Sequence, residues 1–252
     1  MMKGIGKEFI EKTYYKYAEP SDQTKGLPQP PLELDFDSTK QVFDLPAPNK
    51  IQFGDLNLRK AIENRKSIRQ YSEQPLSLAE LSWLLWCAQG VKEIKEVGNQ
   101  EDMRQVTLRT VPSAGARHAF EIYLLVNRVE GLRSGLYRFL AIDHKIVECN
   151  LAEDIADSIK NAALRQVMVK KSAVTVIWTA VAYRMKWRYG ERGYRYMFID
   201  AGHACQNLYL AAETINCGVC AIAAFDDEEF NKLLEIDGIE QFVIYLAPVG
   251  KK

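Results

Sequence analysis

Within five positions the chain places two arginines, a lysine and a serine: Arg65-Lys66-Ser67-Ile68-Arg69. Every polar group here is a hydrogen-bond donor. Arginine presents a planar fork, lysine a compact charge and serine a neutral hydroxyl. Alternate side chains of an extended segment share a side, so residues 65, 67 and 69 can face one ligand. A phosphate or similar small anion suits such a set. The competing reading is a solvated helix end, where cations offset the negative end of the dipole.

Other residue types invite chemistry as well. Cys217-Gly-Val-Cys220 is a C-x-x-C, but it follows a long helical pattern instead of opening a helix after a strand, as a thioredoxin-like site requires. A zinc site needs a second ligand pair, and the three histidines are scattered at 118, 144 and 203. His118 and His203 are each candidates for proton transfer or for a hydrogen-bonded packing role. Residues 182–197, AYRMKWRYGERGYRYM, interleave aromatics with cations, a pattern that can stack on bases.

The chain has 252 residues and a formal net charge of zero. Nucleic-acid binders carry a basic excess, so the neutral balance argues against that class. Hydrophobic residues make up 47%, enough for one domain with a sizeable core. The N-terminal residues lack the apolar run of a signal peptide, and no stretch approaches the ~20 apolar residues of a membrane span. Five cysteines fit reduced thiols better than a disulfide framework, which points to a cytoplasmic protein.

Several elements would position these residues. Residues 1–50 are rich in Pro, Asp and Ser and read as an extended arm, not an independent domain. Leu32, Leu34, Phe36, Phe43 and Leu45 could anchor it. The body, 51–252, begins with helical patterns at 56–65 and 77–90. In the second, Ser77 and Glu80 form a capping box and Gly90 is a stop. Residues 92–110 are charged and read as a loop. Strands are expected at 118–129, 135–140, 144–150, 172–182 and 241–250, with Asp143 turning the hairpin. Helices are expected at 152–164, 193–216 and 226–236. The order is that of an α+β fold with a mixed central sheet packed by helices. The glycine-rich turn of a βαβ dinucleotide fold is absent.

Three stretches, NRKSIRQY (64–71), RTVPSAGARHAFEIYLLV (109–126) and GVCAIAAFDDEEFNKLL (218–234), together resemble the FMN-dependent nitroreductase family in order and spacing. PSAGARH, GLYRF and RYMFIDAGHACQNLYLAA are similar to its SagB-type (azoline) dehydrogenase-like subgroup. The resemblance covers about residues 51–250. It implies the nitroreductase-like α+β fold, a domain-entwined homodimer, and FMN sites at the dimer interface. Arg65 and Ser67, with Lys66, would hold the phosphate. Arg69 would reach the ribityl chain or the pyrimidine edge. Pro112, Ser113, Ala114 and Gly115 would lie along the ring from the partner subunit. Ala221, Ile222, Ala223 and Ala224 would lie near the reactive edge, and Lys251 would add a phosphate contact. The helix around 198–215, rich in small residues, would form the dimer core.

The implied activity is ping-pong hydride transfer from NAD(P)H through flavin N5 to nitroaromatic or quinone-type acceptors, with no catalytic side chain assigned. Two alternatives accompany it: an azoline dehydrogenase acting on a modified peptide, and a non-catalytic flavin-binding protein. The lysine–tyrosine pair of azoline dehydrogenases is not cleanly reproduced by Lys186 and Tyr189. The chain also departs from the family at Ala223, where many members are acidic, and at Ala116, where many carry asparagine. Both changes alter the pocket on the substrate face.

Overall fold

The computed structural model describes residues 4–53, 56–99 and 103–252. In chain order the elements are α1 (Ile5–Lys12), β1 (Val42–Asp44), α2 (Leu58–Asn64), α3 (Leu78–Gln89), β2 (Val91–Val97), β3 (Arg104–Arg109), β4 (Phe120–Val126), β5 (Gly135–Leu140), β6 (Lys145–Asn150), α4 (Ile155–Ala162), α5 (Met168–Lys171), β7 (Val174–Val181), α6 (Ala182–Tyr189), α7 (Gly193–Glu213), β8 (Cys217–Val219), α8 (Asp227–Leu233) and β9 (Gln241–Lys251).

The main sheet runs β1-β6-β5-β4-β7-β9-β8. All its strand pairs are antiparallel. Its mixed character lies in isolated parallel bridges, Ser67 to Val219 and Leu76 to Val129. β4 and β7 are central and almost wholly buried, which explains their continuous apolar runs. Alternation along β4 divides the core. Ile122, Leu124 and Val126 join one cluster with Leu81, Leu84 and Leu208 from α3 and α7. Tyr123 and Leu125 join another with Ile159, Val169 and Phe230 from α4, α5 and α8. Helices therefore cover both faces of the sheet, as expected of α+β.

The expected elements form with trimmed ends. The capping box is present: Glu80 N–H donates to Ser77 Oγ at 3.2 Å, and Ser77 N–H to Glu80 Oε2 at 2.9 Å. Gly90 does end α3, but with φ −60°. Its need is for space, since a Cβ there would lie 2.3 Å from the Trp86 ring.

The stretch 92–110 is not a loop. β2 and β3 pair as an antiparallel ribbon, and residues 100–102 lie outside the described residues. β2 is mostly exposed, so it has no buried face to write an apolar alternation into the sequence. Helix α6 was also unexpected.

The arm is integral to the fold. β1 adds an edge strand beside β6. Leu45 is buried and Phe43 packs against the core, whereas Phe36 is 41% exposed, and polar contacts add to the anchoring. Glu33 accepts from Ala141 N–H at 2.5 Å and Ile142 N–H at 3.2 Å. Arg138 donates to the carbonyls of Leu34 and Asp35. Arg184 donates to Pro31 O at 2.8 Å and forms a buried 2.5 Å ion pair with Glu121, whose Oε1 also accepts from Leu34 N–H.

Candidate active site

The cradle segment leaves α2 at Arg65 and lies against the sheet edge. Ile68 N–H donates to Val219 O at 2.9 Å. This approach depends on Gly218, where a Cβ would stand 2.5 Å from Ile68 Cβ. Its strand partner Gly250 receives Tyr71 in the same way, with 2.8 Å from a notional Cβ to the ring. Two facing glycines thus seat the segment in a fixed register.

Tyr209 of α7 joins the cradle to the late segment. Its hydroxyl lies 3.1 Å from Ser67 Oγ and accepts from Ala221 N–H at 2.8 Å. The Arg65 guanidinium stands over its ring, 5.3 Å from the centroid. Arg69 lies close enough to Cys220 to favour its thiolate, although burial is the stronger influence and pushes that thiol up. Residues 65–69 and 220–222 therefore converge within one chain. Lys66, Ser67, Arg69, Ala223 and Ala224 are exposed. Among the described residues Arg65, Lys66 and Arg69 form no ion pair, and the N–H groups of Ala223 and Ala224 make no hydrogen bond. The donor set fits a phosphate with a polar ring system beyond it.

Lys251 does not belong to this set. It is buried, its ammonium paired with Glu80 and donating to Ile215 O at 3.0 Å. The expectation of a phosphate contact is corrected by that pairing. An ammonium committed to a carboxylate has little left to offer an anion.

The loop 112–115 is held elsewhere. Ala114 N–H donates to both carboxylate oxygens of Asp200 at 3.3 Å. Burial raises the Asp200 pKa, opposed by hydrogen bonds from Ser113 and Ala114. Ser113 Oγ accepts from His118 N–H at 2.9 Å. Gly115 has φ +58°, and Ala116 and His118 also sit at positive φ, so the loop is a tightly bent, strained turn. Asp200 and Tyr209 are nine residues apart on α7, about 14 Å along its axis. Nine residues are about two and a half turns, so in one chain the loop and the cradle contact opposite sides of α7 near its two ends.

The remaining candidates recede. His118 is buried and its pKa is pushed down to about 3 by burial, then by Arg109 and Arg117, so it stays neutral. His203 is exposed on α7. The Cys217 thiol is pushed up to about 12 by burial, opposite to the activation a redox C-x-x-C requires. No metal-binding cluster exists among the described residues, and none of their helices is long and apolar enough to cross a membrane. Tyr209 and Asp200 are the site residues that sequence reading missed. Both lay inside RYMFIDAGHACQNLYLAA, where small-residue spacing drew attention to packing.

A family model described as the nitroreductase family matches residues 62–251. A protein of Methanocaldococcus jannaschii named as a nitroreductase is 35% identical over 198 residues, 79% of this chain and 92% of its own. A chain of the E. coli microcin synthetase McbBCD complex, solved with truncated pro-MccB17 bound, superposes with a TM-score of 0.60 at 17% identity. That match covers 98% of this chain and 92% of that one. A nitroreductase structure from Desulfovibrio desulfuricans in complex with FMN gives a TM-score of 0.52 at 15% identity, covering 78% and 87%.

Proposed function

The chain belongs to the nitroreductase family, and from that premise we propose that it is an FMN-dependent oxidoreductase passing electrons from NAD(P)H to nitroaromatic or quinone-type acceptors. The observation that carries this reading is the cradle. Among the described residues Arg65, Lys66 and Arg69 lie free of ion pairs beside Ser67, fixed on the sheet edge and tied by Tyr209 to the late segment. When bound, FMN supplies the hydride chemistry. Arg65, Lys66 and Ser67 would hold its phosphate. Arg69 and the free N–H groups of Ala223 and Ala224 would face the ring.

With a nitro acceptor the net reaction balances as ArNO2 + NAD(P)H + H+ giving ArNO + NAD(P)+ + H2O.

The site is read as shared between two copies of the chain. The residues that hold the cradle and the loop 112–115 are about 14 Å apart along α7 and on opposite sides of it, so a partner's loop would complete each cradle. Exposed Phe198 and Ile199, with Gly202 between neighbouring turns of α7, offer the contact face.

The test is an absorbance spectrum of the purified protein. Flavin bands at roughly 370 and 450 nm that bleach with NAD(P)H and recover with a nitroaromatic are expected. Arg65→Ala should weaken FMN binding about 10- to 100-fold, the scale of a charged hydrogen bond. Unchanged FMN affinity would sink the phosphate assignment.

A second reading is oxidation of a modified peptide. It draws on the fold likeness to the microcin synthetase chain, which extends through the arm. Lys186 and Tyr189 both line a cavity of about 570 Å³ beside the arm. Steady NAD(P)H-driven turnover of a small acceptor without any peptide favours the first reading.

A further inference from the structure

A second cavity, about 750 Å³, opens between the arm and α6, walled by Tyr15, Gln23 and Leu27 on one side and Trp187, Arg188 and Tyr189 on the other. That volume suits a small organic ligand. The α6 wall also touches the strained loop: a Cβ at Gly115 would lie 2.4 Å from Tyr189 Oη and 2.9 Å from Arg188 Nε. The α6 wall of the cavity is thus packed against the segment read as a wall of the flavin site.

Among its described lining residues the charged groups are Arg104 and Arg188. Arg188 forms no ion pair among the described residues. Its one ring contact is with Tyr189, 5.6 Å to the centroid. Behind Trp187, Arg117 stands 4.8 Å from the ring. Arg117 is buried, and its Nη1 finds no hydrogen-bond partner. The nearby carboxylate Glu121 is already taken by Arg184. Unneutralised guanidinium groups framed by flat rings select for a flat ligand bearing negative charge.

We propose that this cavity seats an aromatic electron acceptor carrying a carboxylate, with Arg188 holding the carboxylate and Trp187 and Tyr189 flanking the ring. The assignment rests on residues 112–115 bordering the flavin. It makes the arm part of the substrate site, since residues 15–27 form its outer wall.

The probes are 4-nitrobenzoate and 4-nitrobenzyl alcohol, which differ mainly in charge. With the full-length protein as isolated, kcat/KM is expected to favour 4-nitrobenzoate at least tenfold. Arg188→Gln should lower that value about tenfold while leaving the alcohol within twofold, and Arg188→Lys should restore part of the loss. Quenching of tryptophan fluorescence gives the 4-nitrobenzoate dissociation constant without turnover and should shift by the same factor. That titration also reads the cavity if no flavin is bound, so failure of the cofactor reading and failure of this one are separable. Equal use of both probes by the wild type, or equal loss of both in Arg188→Gln, would overturn the proposal. So would a loss confined to NADPH, which would assign Arg188 to the electron donor.

Discussion

His118 shows how much one buried side chain can couple to pH. Held neutral with a pKa of about 3 against an ordinary 6.5, it cannot take up the proton that the unfolded chain binds below pH 6.5. Its contribution to stability is full above 6.5 and is lost as pH falls toward 3. The limiting slope for one proton is about 1.4 kcal/mol per pH unit. His118→Asn, tolerated at φ +44°, is expected to flatten this limb relative to wild type. Denaturant midpoints at pH 7, 6, 5 and 4 would show it, and parallel curves for the two proteins would refute it. Other residues at this scale were legible in the sequence only when their function is local. Arg65, Ser67 and Arg69 could be read because adjacent donors share one short segment. Tyr209 could not, because its role arises from contact with Ser67, 142 positions away. Lys251 was misread for the same reason: its partner Glu80 is 171 positions distant.

At the scale of elements, strand β8 matters most to the site. It is three residues long, yet it sets the register of the cradle through Ile68 and Val219. Gly218→Val should force Ile68 off the strand. A loss of about 1–3 kcal/mol from overpacking is expected, together with at least tenfold weaker FMN binding. Isothermal titration with FMN would measure this, and wild-type affinity would show that the register is not needed. Elements with a buried face were legible: β4, β7 and α3 declared themselves by unbroken apolar runs or by caps. The β2–β3 ribbon and α6 did not. The ribbon is largely exposed, and α6 mixes cations with aromatics whose burial is decided by the arm lying across them.

Over the whole molecule, the arm and the body are joined by buried charge. Glu121 and Arg184 are each almost completely inaccessible, and between them they bind the backbone at Pro31 and Leu34. Removing one partner strands the other, a loss on the order of 3–5 kcal/mol. Glu121→Gln is therefore expected to destabilise the protein by about that amount and to expose residues 20–36 to protease. Limited proteolysis followed by mass spectrometry tests this, and an uncut arm in a destabilised variant would separate the two effects. The apolar anchors of the arm were legible in the sequence, but this charged anchoring was not, since Glu121 and Arg184 lie far from residues 31–34 along the chain.

The strand order has a further consequence for how the protein comes into being. β9 lies between β7 and β8, and among the described strands β8 pairs with β9 alone. A chain emerging from the ribosome has made the cationic segment by residue 69, but the shelf that orders it, β8 on β9, forms only once residues 241–251 have been made. Every earlier length leaves a gap in the sheet and a set of loose cations beside it. On the proposed reading FMN would bind only after β9 has been made, and a nascent chain stalled before residue 241 is expected to bind none.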